Sequence, residues 1–228
     1  MLRYPGEFNY SLLDNRGAEH SRSDYICFLN NDTIVITPDW LEDMVGYASQ
    51  SGVGCVGAKL YYTNGAVQHA GIVLGLGEVS GHVFLNRSRD DSGYFGRLLV
   101  ASNYSAVTGA CLLVRRSIFI EVGGFDESEL PVTFNDIDFC IKVRSSGYRN
   151  VVTPYAELFH FESTSRGHDG DAPETALRRK GEVQVMRRRH GILLERDPCY
   201  SPHLTLTRDD FSISLDRSSD CNGDFVLL

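Results

Sequence analysis

Four near-continuous apolar runs stop abruptly in polar residues: "YICFL", which drops into Asn30-Asn31-Asp32, then "VGCVGAKLYY", "TGACLLVRR" and "NVVTPYAELFHF". A run of that kind reads as a strand covered on both faces. Between the runs lie segments with helical spacing. Trp40, Leu41, Met44, Val45 and Ala48 form one stripe, entered through a Thr37 cap with Pro38 behind it and closed at Gly52. "TFNDIDFCIKVRSSGY" predicts a helix from Thr133 or Asn135 to Gly147, and a basic helix is expected over about 174–190. Strands alternating with helices leave an α/β layer architecture: a mixed, mainly parallel sheet with flanking helices. One domain over residues 1–228 is expected, with an irregular tail from about 197.

The rest of the chain fills in around that frame. A helix is expected over 9–20, a hairpin turn at Asn64-Gly65, a surface loop over 86–97 and a short helix capped by Ser117. The formal net charge of -8 argues against general binding of nucleic acid. Among the six cysteines there is no C-x-x-C pair, and Cys27, Cys55, Cys111 and Cys140 sit inside apolar runs. Buried thiols in a reducing compartment fit that pattern, and with no signal peptide or bilayer-length apolar segment the expected address is the cytoplasm.

Three residues carry the chemistry. Asp32 follows one buried strand, His160 ends another, and Asp136 lies in the first turn of a helix. Strand ends and helix starts converge at the carboxyl edge of an open α/β sheet. A carboxylate and a neutral imidazole make a partial ligand set for Mn²⁺ or a similar ion, the remaining positions going to substrate oxygens and water. The positive end of its helix favours ionised Asp136, ready to accept a proton, whereas Asp138 points elsewhere and can pair with Lys142. From spacing alone, Asp32 can equally be a turn residue, Asp136 a helix-cap group and His160 a satisfied histidine.

The stretches "FLNNDTIVITPDWL", "VGAKLYYTNGAVQHAGIVLG", "TGACLLVRRSIFIEVGGFDE", "FNDIDFCIKVRSSGYRNVVTPYAELFHFESTSRG" and "DPCYSPHLTL" occur in order over nearly the whole chain. On them the sequence resembles the bacterial family-2 glycosyltransferases of the GT-A fold, a Rossmann-related design, particularly the branch that builds O-antigen and other surface polysaccharides. The resemblance implies that "NND" occupies the D-x-D metal motif, with Asp32 as ligand of a divalent cation, Mn²⁺ or Mg²⁺, and Asn30 and Asn31 beside the nucleotide. It makes Asp136 the catalytic base and His160 a second metal ligand. Arg166 and His168 would reach the donor phosphates, while Thr108, Gly109, Ala110 and Asn135 would line the acceptor side. That family normally opens with a strand of the type "SIIIPTYN", which nothing here matches, so the chain is expected to lack the amino-terminal third of the domain.

The activity implied is inverting transfer of a sugar from a UDP- or dTDP-sugar to a glycan or lipid-linked acceptor. Peripheral membrane association and self-association through exposed strand edges are further expectations. Two other classes compete. A non-catalytic remnant would bind a glycan or partner through the acceptor half, and an Asp/His metal hydrolase would need a nucleophile motif that is missing here. Several features have plainer readings. "RRRH" at 187–190 is expected to be a solvated helix face, and Trp40 belongs to a core stripe. "GLGEVSG" at 75–81 lacks dinucleotide-loop spacing. His69 and His82, flanking a glycine-rich segment, can serve local hydrogen bonds or the site.

Overall fold

The computed structural model describes residues 4–161 and 173–215; Arg166, His168 and the tail beyond Leu215 lie outside them. In chain order the elements are α1 (Tyr10–His20), β1 (Tyr25–Leu29), β2 (Thr33–Val35), α2 (Trp40–Ala48), β3 (Val53–Tyr61), β4 (Val67–His69), β5 (Ile72–Leu74) and β6 (Ser80–His82). There follow β7 (Ser102–Tyr104), β8 (Cys111–Arg115), α3 (Arg116–Glu121), α4 (Asn135–Ser145), β9 (Arg149–His160) and α5 (Pro173–Glu195).

β3 organises the molecule because both of its faces are covered. Val56, Ala58 and Leu60 pack with Met44 and Ala48 of α2 and with Leu113. Cys55 and Tyr61 face the opposite core, where Phe28, Phe119, Phe125 and Phe139 form an aromatic cluster. Burial on both faces is what the unbroken apolar run encodes. Gly57 is required there, since a Cβ would stand 2.7 Å from Val107 Cβ.

The sheet runs β1-β8-β3-β9-β2, with β4 on β3 and β7 on β9, and β5–β6 form a separate hairpin. The mixed sheet and flanking helices are as expected, but its parallel share is smaller. Among the described residues only β3 and β9 pair in parallel, and every other pairing is antiparallel. Apolar runs report burial, not direction, and that is why the pattern overstates the parallel part. β9 absorbs Pro154 by a register break: Ala58 faces Thr153 while Lys59 faces Glu157, so the residues between bulge out of the ladder. A proline, having no N–H, is tolerated there.

Asn9 caps α1 by accepting the Leu12 N–H, and Asn64-Gly65 turns β3 back into β4. Thr37 does not cap α2. Its hydroxyl accepts the Glu157 N–H at 2.9 Å, α2 begins at Trp40, and the "TIV" before it forms β2. Arg115, not Ser117, precedes α3. α5 runs five residues past its expected end, to Glu195, and the segment after it folds back to bury Phe211 against Phe84. No helix among the described residues is long and apolar enough to cross a membrane.

Candidate functional site

β2 is the short element that assembles the first half of the site. It pairs antiparallel with the end of β9, setting Thr33 opposite His160, and the Phe161 N–H donates to the Asp32 carbonyl at 2.8 Å. The Asn30-Asn31-Asp32 turn between β1 and β2 is therefore folded over His160. His160 Nε2 lies 3.3 Å from Asp32 Oδ1 and 3.2 Å from Asn30 Nδ2, whereas Asn31 is exposed beside them.

Gln68 decides which imidazole nitrogen faces Asp32. Its Oε1 is 2.8 Å from His160 Nδ1, and its Nε2 donates to the His160 carbonyl at 3.4 Å. An amide oxygen can only accept, so Nδ1 carries the proton and Nε2 presents its lone pair beside Asp32. Asp32 Oδ1 is itself buried without a hydrogen-bond partner. Two lone-pair atoms held at that separation fit adjacent positions around a hard cation, whose ligands at roughly 2.1 Å lie about 3 Å apart. Among the described residues no cluster of three or more His, Cys, Asp or Glu side chains surrounds this point. The remaining ligand positions would fall to substrate and water.

Residues 108–110 join this half to the second. The Ala110 carbonyl accepts the Asn30 N–H at 3.0 Å, and the Gly109 N–H donates to Asp136 Oδ2 at 2.7 Å. The Thr108 hydroxyl accepts the Ala110 N–H at 3.3 Å, which tightens the turn. A side chain at Gly109 would crowd this approach: a Cβ would meet Tyr10 Oη at 3.0 Å and Asp136 Cβ at 3.4 Å. Tyr10, at the start of α1, donates its hydroxyl proton to the Gly109 carbonyl at 2.9 Å, so the same peptide is held from both sides.

Asp136 departs from the expectation based on its helix end. Burial pushes its carboxyl above the usual carboxylate range; the Gly109 N–H, the nearby His82 imidazole and the Ile137 N–H pull it only partly back. Desolvation thus outweighs the helix start, and a raised pKa suits a group that must hold a proton during reaction. Asn135 is 3% exposed, and its amide is engaged with backbone, donating to the Val132 carbonyl and accepting the Asp136 N–H. It shapes the turn that carries Asp136, with little surface left to line an acceptor cleft.

His69 and His82 touch each other at 3.2 Å between Nδ1 atoms, and His82 Nδ1 also meets the Gln68 carbonyl at 3.0 Å. Sequence reasoning missed Gln68 and Tyr10. The available signal for Gln68 was a polar residue inside the apolar run "AVQHAGIVLG", where both faces are covered. Arg187, Arg188 and Arg189 lie on an exposed face of α5, as expected, and the charges of the run are paired. Arg188 pairs with Glu129, Arg189 with Asp126, Glu129 and Asp138, and His190 with Asp138.

Comparison with known proteins bears on the family and the fold. Residues 14–123 match the sequence model of glycosyl transferase family 2. The protein y4gI of Sinorhizobium fredii is 52% identical over 217 residues, covering 95% of this chain and 24% of that protein. The O-antigen biosynthesis protein RfbC of Myxococcus xanthus is 36% identical over 210 residues, covering 92% of this chain and 16% of its own length. The chain thus spans a quarter or less of these relatives. Among solved structures, that of GalNAc-T7 with UDP, GalNAc and Mn²⁺ superposes with a TM-score of 0.56 at 11% identity, over 87% of this chain and 46% of that one. The GT-A-like sheet and the sequence matches lead to one assignment: residues 14–123 of this chain belong to glycosyl transferase family 2.

Proposed function

We propose that the domain transfers a sugar from a nucleotide-diphosphate donor to a hydroxyl of a glycan or lipid-linked acceptor, with inversion, in surface polysaccharide synthesis. The observation that carries the reading is the juxtaposition of His160 Nε2 and Asp32 Oδ1, tied through residues 108–110 to the Asp136 carboxylate. A divalent cation held by Asp32 and His160 would neutralise charge growing on the departing diphosphate. Membership of the family and the Mn²⁺ reported with GalNAc-T7 support that choice of metal.

Asp136 accepts the proton of the acceptor hydroxyl as that oxygen attacks the anomeric carbon from the face opposite the diphosphate. The new C–O bond forms while the bond to the phosphate oxygen breaks, and its electron pair leaves with the diphosphate. The Gly109 N–H keeps Asp136 aimed, and Ala110 and Thr108 hold the turn that presents it. Arg166 and His168, outside the described residues, would bind donor phosphates. The cysteines among the described residues are all free and Cys55, Cys111 and Cys140 are buried, which supports a cytoplasmic setting.

Calorimetry with UDP- and dTDP-sugars plus Mn²⁺, followed by a transfer assay on the complete protein, tests the reading. Micromolar donor binding that requires Mn²⁺ is expected. Asp136→Asn should keep donor binding and lose at least a hundredfold in turnover; unchanged turnover would refute the base assignment.

A further inference from the structure

We infer that Glu182, in the middle of α5, is a positioning residue for Asp136: it holds the turn that delivers the base. The inference rests on the reading of Asp136 above. α4 starts in an unusual way, because Phe134 immediately before it adopts a left-handed backbone, φ 62° and ψ 5°, with no side-chain cap from that residue. Such a conformation in a phenylalanine costs on the order of 1–2 kcal/mol and persists only where surroundings enforce it.

α5 provides the enforcement. Glu182 is 2% exposed, and its Oε1 accepts both the Val132 and Thr133 N–H groups at 3.0 Å. The Arg178 Nε lies 3.5 Å from its other oxygen. The Arg179 guanidinium sits over the Phe134 ring, 5.7 Å from its centroid. A buried carboxylate is costly to desolvate, and at a helix position facing the body an aliphatic side chain would be easier to accommodate. Aiming one oxygen at two consecutive loop N–H groups gives Glu182 a specific task. Asn135 then bonds the Val132 carbonyl and the Asp136 N–H, so the hold on residues 132–133 passes directly to the base.

Without Glu182 the turn relaxes toward an ordinary backbone conformation, and the Asp136 carboxyl leaves the Gly109 N–H. The test compares Glu182→Ala, Glu182→Asp and Glu182→Gln in the complete protein. Readouts are kcat, donor KM, Mn²⁺ affinity and the amide proton shift of Gly109. Gln keeps an acceptor oxygen in place; Asp keeps the charge but withdraws it by one methylene, and serves if Ala does not fold. Expected for Ala and Asp is a fall in kcat of about a hundredfold with donor KM and Mn²⁺ affinity within about threefold, while Gln stays near the parent. The Gly109 amide should move upfield in Ala or Asp and stay in Gln. Retained kcat in Ala or Asp, or a parallel loss of kcat, donor affinity and metal affinity, would overturn the inference. A parent protein that transfers no sugar would sink the reading of Asp136 instead; the Gly109 shift would still show whether Glu182 sets the turn, an unmoved amide counting against it.

Discussion

Gln68 shows how one neutral side chain can settle what the imidazole of His160, the proposed metal ligand, presents. Its oxygen claims the His160 Nδ1 proton, leaving the Nε2 lone pair opposite Asp32. Removing such an outer partner usually weakens a metal site by about 10–100-fold. Gln68→Ala should therefore lower Mn²⁺ affinity by that factor in titration calorimetry, and because it leaves the His160 Nδ1 proton without its buried acceptor the melting temperature without metal should fall as well. Asp14 behaves differently. Burial pushes its carboxyl up to about 7, against a smaller opposing pull from Tyr10, and its Oδ2 is buried without a partner. A carboxyl whose folded pKa is raised favours the fold most below its unfolded pKa of about 3.9, and that advantage is lost as pH rises through about 7. Asp14→Asn should consequently melt higher than the parent at pH 8, the gap closing toward pH 4.

The helices act through their anchoring rather than their propensity. α5 buries Val183, Val185, Met186 and Leu194 in the core and is further fastened to the region around α4 by charge. Asp138, 2% exposed, meets His190 at 2.8 Å, Arg189 at 3.3 Å and Lys142 at 3.6 Å. Burial alone would raise its pKa; His190, Lys142 and Arg189 together hold it below the usual range. A depressed carboxylate stabilises the fold above its unfolded pKa and loses that contribution as pH falls through the folded value. Asp138→Asn should cost about 2–4 kcal/mol at neutral pH in urea unfolding, and the deficit should shrink below about pH 4. The strand side has its own weak point. Gly57→Ala would drive a Cβ into Val107 in a filled core, and a loss of about 1–3 kcal/mol is expected.

Across the whole molecule, the site depends on the sheet's carboxyl edge, where β9 brings His160 to the turn after β1 and the segment before β8 brings Gly109 to α4. Ligand bound only by the folded state raises stability by about 2.7 kcal/mol at a hundredfold excess over Kd. Mn²⁺ with a nucleotide sugar should thus raise the melting temperature by several degrees, reversibly with a chelator, and Asp32→Asn should abolish the shift. β1 and β2 end the strand order, and Ile34 and Val35 of β2 are exposed. Concentration-dependent association is expected in light scattering, diminished by Ile34→Lys.

Much of this was legible in the residues, for identifiable reasons. Burial on both faces wrote itself into β3 and β8 as apolar runs, Gly147 marked the end of α4, and Asn64-Gly65 the hairpin. Asp32, Asp136 and His160 stood out because charged or imidazole groups follow buried strands or open a helix. Local pattern could not show that β2 lies antiparallel on β9, because pairing direction is a long-range property. Nor could it show that a buried glutamine orients His160, that desolvation outweighs the helix end at Asp136, or that the basic run on α5 is ion-paired. Composition and periodicity determine which surfaces must leave water. Which polar groups then meet, and in what state of protonation, is decided only when distant segments are packed together, because those interactions act over a few ångströms while the residues stand up to 130 positions apart.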